Sequence, residues 1–92
     1  MMSTLNLAEA RKIGFNNEVP GMGLHVQTEV LTRGALMIRT TVLAAGIVKH
    51  AESHPVPASV SDMNGLVAVV RTQHQRCFDH VKGAGKSWLE SI

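Results

Sequence analysis

The chain has 92 residues, 45% of them apolar, and nine Lys and Arg against seven Asp and Glu give a net charge of +2. That length fits a single domain over residues 1–92 with a modest core. Near-balanced charge, two Phe, one Trp and no Tyr offer neither the basic stripe nor the stacking aromatics of nucleic-acid binders.

One cysteine, Cys77, rules out an internal disulfide and suits a reducing compartment. Residues Met1 to Asn6 lack the basic segment and apolar run of a signal peptide, and no apolar stretch approaches the roughly 18 residues of a membrane helix. A cytoplasmic protein with no membrane partner is the expectation.

Residues 1–11 read as a flexible segment or a short helix, with Asn6 and Glu9 spaced as a capping box. The sheet is expected over residues 12–55. Lys12 to Phe15 extends it as a fourth strand or stands outside it, so three or four strands are expected. Asn16-Asn17 and Pro20-Gly21 are turn signals. From Leu24 to Leu31 apolar and polar residues alternate, the mark of a half-buried strand. Thr32-Arg33-Gly34 reads as a three-residue hairpin loop that sets Leu31 opposite Ala35. Ala35 to Ala44, rich in β-branched residues, is the next strand. Ala45-Gly46 is a tight turn, and Ile47 to His54 is the last strand, closed by Pro55 and Pro57.

These turns propose a register. Glu29 then faces Met37, Gln27 faces Arg39, Arg39 faces Glu52 and Thr41 faces His50. One face carries Leu24, Val26, Val30, Leu36, Ile38, Val42 and Ile47, with Lys49 as its misfit. The other carries His25, Gln27, Glu29, Arg39, Thr41, His50, Glu52 and His54. A slip of one residue would exchange the faces.

A long helix is expected over residues 59–83. Ser59 or Ser61 is its candidate cap, and Asp62 suits its first turn. Met63, Val67, Val70, His74, Cys77 and Val81, widened by Leu66, Val69 and Phe78, form an apolar face broad enough to pack on a sheet. Gly65 is expected to bring the helix close to the sheet, and Gly83 to cap its end. Residues 86–92 read as a short helical tail presenting Trp88, Leu89 and Ile92. The predicted fold class is α+β: an antiparallel meander with one long C-terminal helix on its apolar face.

Phe15-Asn16-Asn17, Val19-Pro20, His25 to Glu29, Gly46-Ile47-Val48 and Gln73-His74 together resemble a family of small bacterial proteins. In that family a strand reading HVQTE opens a meander and a helix bearing QH closes the domain. The likeness covers residues 15–82, and its most specific piece is His25 to Glu29. The chain departs from the pattern at Val30, where the family tends to carry an acid, and at the Pro55/Pro57 pair. The resemblance implies this architecture and carries no activity with it. It singles out His25, Gln27, Glu29, Gln73 and His74.

Two sets of residues invite chemistry. His50, Glu52 and His54 alternate along one strand, and with His25 they offer imidazoles and a carboxylate to a divalent ion. Against one shared ion, His50 and His54 lie ~13 Å apart along a strand. The competing reading is a solvated face of cross-strand charge pairs. Cys77 has His74 and His80 one helical turn to either side, but it lies on the apolar stripe, where a thiol is usually inert. No phosphate loop, Ser/His/Asp set or paired carboxylates can be identified, so no catalytic residue and no cofactor is assigned.

The expectation for function is a non-enzymatic module that binds a protein partner or itself, in the latter case as a homodimer through an unpaired sheet edge or through the Trp88-Leu89-Ile92 tail. Its candidate surface residues are His25, Gln27, Glu29, Arg39, Gln73, His74 and Trp88. The alternative is a divalent-metal protein or metal-dependent enzyme using His50, Glu52 and His25.

Overall fold

The computed structural model describes residues 5–32 and 34–84. Its elements are α1 (Leu7–Ala10), β1 (Gly14–Val19), β2 (Leu24–Leu31), β3 (Met37–Ala44), β4 (Ile47–Pro55) and α2 (Met63–Ala84). The strands form one antiparallel sheet in the order β1-β2-β3-β4, and α2 packs on β1, β2 and β3. This is the α+β meander expected, with four strands. The helical tail expected over residues 86–92, Trp88 included, lies outside the described residues.

Alternation along β2 and β3 sends even-numbered side chains to the helix. Leu24, Val26, Val30, Ile38 and Val42 are buried, while His25, Gln27, Glu29 and Arg39 are exposed. From α2 come Leu66, Val70, His74, Cys77 and Val81. The apolar residues fall into two clusters. One gathers Val19, Leu24, Val26, Val42, Cys77 and Val81; the other gathers Ala10, Val30, Ile38, Leu66 and Val70. Between them the helix-facing positions of β2 and β3 hold two buried threonines, Thr28 and Thr40.

Several expectations change. Asn16 and Asn17 do not turn; they pair with Gln27 and Val26 inside β1. The chain reverses after them, where Met22 N–H donates to the Val19 carbonyl and Gly21 takes φ +75°. Pro20 then Gly21 in that turn is the type II pattern, which needs positive φ at its third residue. The β2–β3 loop is longer than three residues, since Leu31 faces Met37. Glu29 therefore faces Arg39, and Gln27 faces Thr41. A shift of two residues leaves both faces intact.

The β3–β4 hairpin is different. Ala44 faces Ile47 as expected, but a bulge between Val42 and Leu43 sets Val42 opposite His50, Thr40 opposite Glu52 and Ile38 opposite His54. One extra residue exchanges the faces of β4. His50, Glu52 and His54 thus lie on the helix side, and Ala51 and Ser53 on the exposed side. The gain is Val56, which follows β4 with the same parity and packs on the second apolar cluster. Lys49, the misfit of the unbulged register, is exposed. Ile47, expected in the core, is 60% exposed beside Val48 at 53%.

Pairing also runs through Pro55, which faces Met37. Val56 N–H donates to the Leu36 carbonyl, so from His50 onward, beyond the bulge, even residues of β4 turn their backbone groups toward β3 and odd residues turn theirs outward. Pro55 is an outward residue, where a missing N–H removes no ladder bond.

The helix ends differ from expectation as well. Asp62, rather than either serine, caps α2: its Oδ1 accepts from Gly65 N–H at 2.7 Å. A Cβ on Gly65 would meet Asp62 Oδ1 at 3.1 Å and Val60 at 3.6 Å, so that glycine makes room for the cap and not for the sheet. Gly83 lies within α2 and is not an end cap. Asn6 caps α1 by accepting from Ala8 and Glu9 N–H, while Glu9 turns to Lys12 at 3.4 Å.

Candidate functional site

A polar seam crosses the interior between the two apolar clusters. Phe15, Thr28, Thr40 and Glu52 are successive cross-strand partners, one from each strand. Since Thr40 turns its backbone toward β4, Thr28 and Thr40 form the close, non-hydrogen-bonded type of pair. Their hydroxyl oxygens lie 3.2 Å apart.

His74 of α2 closes over them. Its Nδ1 is 2.8 Å from Thr28 Oγ1 and its Nε2 is 2.7 Å from Asn17 Oδ1. An amide oxygen only accepts, so Nε2 carries the ring proton and Nδ1 accepts from the Thr28 hydroxyl. Thr40 in turn donates to Thr28. Phe15 stacks on the imidazole at 5.5 Å between ring centres, and the Arg71 guanidinium lies 5.8 Å from the Phe15 ring centre. Burial holds the His74 pKa below its ordinary value of 6.5, which keeps the ring neutral.

Glu52 gathers a second set of groups at the rim. His50 Nε2 lies 3.5 Å from its carboxylate and His54 Nε2 3.7 Å. Gln73 Nε2 donates to Glu52 Oε1 at 3.4 Å, and Arg76 Nη2 donates to Gln73 Oε1 at 2.7 Å. A cleft of about 360 Å3 opens here, lined by His50, Glu52, Arg76, Cys77, His80 and Val81. Burial first, then the Glu52 charge, push the Cys77 thiol up to about 11, against a smaller opposite pull from Arg76. A thiol with that pKa is protonated at neutral pH and is a poor nucleophile. His74, with both nitrogens engaged elsewhere, does not activate it.

The structure separates the residues that sequence had grouped. His25, Gln27, Glu29, Arg39 and Thr41 do share the outer face of the sheet. His50, Glu52 and His54 lie on the opposite side, so the expected alliance of His25 with His50 and Glu52 is not formed. Nor does Arg39 meet Glu52; it faces Glu29 and Ser53. Among the described residues no group of three or more His, Cys, Asp and Glu is arranged to hold a metal ion. His74 is buried and presents no open surface, whereas Gln73 is half-buried against Glu52 and also lines a shallow surface depression with Ala68, Val69 and Thr72. Sequence reasoning passed over Thr28 and Thr40, whose signal was polar character at inward positions.

β4 forms one outer edge of the sheet. Ala51 and Ser53 turn their backbone N–H and C=O groups away from β3, as the Val56–Leu36 bond requires. No strand among the described residues pairs with them.

Compared with protein-family models, curated proteins and solved structures, the chain matches none of them. No described helix is long and apolar enough to cross a membrane.

Proposed function

We propose that this chain is a protein-interaction module whose working surface is the outer edge of β4. One observation carries the reading: a nine-residue edge strand whose outward backbone groups have no partner strand among the described residues. Such an edge is a template for another chain, adding main-chain hydrogen bonds as affinity. Ile47 and Val48, more than half exposed at its start, add apolar surface. His74 is committed to Asn17 and Thr28, and Cys77 is held protonated. The lone cysteine fits a reducing, cytoplasmic setting.

The test is cross-linking mass spectrometry on the full chain in a lysate of its source cells. Cross-links to a bound polypeptide are expected at Lys49, the one lysine of β4. Ala51→Pro removes an N–H that β3 does not use, so it should keep the fold, verified by its melting curve, and lose the cross-links. Partners retained in full by folded Ala51→Pro would overturn the reading.

A further inference from the structure

We infer that the partner of the β4 edge is the same edge of a second copy, paired antiparallel about Ala51. This deepens the reading above and rests on it. Ala51 and Ser53 supply outward N–H and C=O groups. A two-fold axis beside Ala51 makes Ala51 face the partner copy's Ala51, and the two exchange both backbone bonds.

Side-chain pairing and the backbone favour this axis over those beside Glu52 and Ser53. About Ala51, each His50 faces a Glu52 of the other copy, so imidazole and carboxylate meet twice. About Glu52, two carboxylates would face each other in the close type of pair, which is repulsive. About Ser53, Glu52 would again meet an imidazole, that of His54. Each Ala51 would then face a Pro55, which has no N–H to donate, and two ladder bonds would be lost. Ala51 is therefore the axis that keeps the two central ladder bonds and sets unlike side chains opposite each other.

The side chains agree. Ala51 and Ser53 are small and lie on the exposed side, so nothing bulky stands at the axis. His50 and Glu52 lie on the helix side, at the mouth of the cleft beside Arg76 and His80. The second copy brings its own His50 and Glu52 to that mouth. The other free edge, β1, offers no such match. Its backbone groups at Gly14, Asn16 and Glu18 point outward by the same alternation, and an axis beside Asn16 would set Glu18 against Gly14.

Amide hydrogen exchange read by NMR, with sedimentation on the same samples, tests this on the unaltered chain. In dilute samples Ala51 and Ser53 amides should exchange freely. At millimolar concentration the mass should double and the Ala51 amide should slow by roughly an order of magnitude or more. His50→Glu should return the chain to monomer. His50→Glu with Glu52→His should restore the dimer, because the facing pairs are merely exchanged. A monomer at millimolar concentration would overturn the second copy and leave the edge free for a different protein, which the Lys49 cross-links would still report. A dimer whose Ala51 amide exchanges freely would place self-association on another surface and overturn this inference, leaving the edge reading to the Ala51→Pro cross-linking test. A protected dimer indifferent to His50→Glu would overturn the Ala51 axis.

Discussion

Thr28 and His74, 46 residues apart in the chain, are joined by a buried hydrogen bond of 2.8 Å. This bond ties the helix to the centre of the sheet at one rotation and one height, which apolar packing alone would fix less sharply. It also orders its neighbours, because the chain of donors runs from Thr40 through Thr28 to His74 and ends on Asn17.

Thr28→Val should therefore destabilise the fold by about 1–3 kcal/mol, because His74 Nδ1 is left buried without a donor. Thr40→Val made on top of Thr28→Val should cost less than Thr40→Val alone, since its hydroxyl has already lost its acceptor. A double-mutant cycle in chemical denaturation measures the coupling. Strict additivity would show that the seam is not one network.

The same ring sets a pH dependence. The folded-state pKa of His74 lies below the unfolded value of 6.5, so the unfolded chain binds the proton first as pH falls. The stability held by the neutral ring is present above about 6.5 and is lost progressively as pH drops through the folded pKa. Melting temperatures should fall on acidification, and His74→Gln should flatten that fall relative to the parent. An unchanged slope would place the acid sensitivity in other groups.

How much of this was legible follows from where alternation is strict. Leu24 to Leu31 obeys it, and the inward set from Leu24 to Val42 came out as read. Ile47-Val48-Lys49-His50 does not alternate, so nothing in the strand itself announced the bulge that turned His50 and Glu52 over. Val56 was the available signal: an apolar residue just beyond the strand that reaches the core only if the even positions face in. Thr28 and Thr40 were hidden for another reason. Strand threonines are common, and only the arrival of His74 over them gives their inward position a purpose.

Ala45 carries strain that the turn imposes. It has φ +52° and Gly46 has φ +79°, the pair of positive angles that a two-residue hairpin turn of type I′ requires. An alanine there is disfavoured by roughly 1–2 kcal/mol. Ala45→Asn or Ala45→Gly should raise stability by up to about 1 kcal/mol with the strand register unchanged, measured by denaturation and by NMR contacts across Ala44 and Ile47. Destabilisation by both substitutions would contradict the turn geometry.

Cys77 provides the sharpest check on the chemistry of the cleft. The residue is 9% exposed and its thiol pKa is pushed up to about 11, with burial the larger cause and the Glu52 charge the next. Reactivity follows the thiolate, so alkylation by iodoacetamide at neutral pH should be much slower in the folded chain than in denaturant. Glu52→Gln removes the second cause and should quicken the folded-state reaction only modestly, because burial remains. Rapid alkylation of the native chain, matching or exceeding the denatured rate, would mean an activated thiol. The cleft would then have to be read as a reactive site built on Cys77.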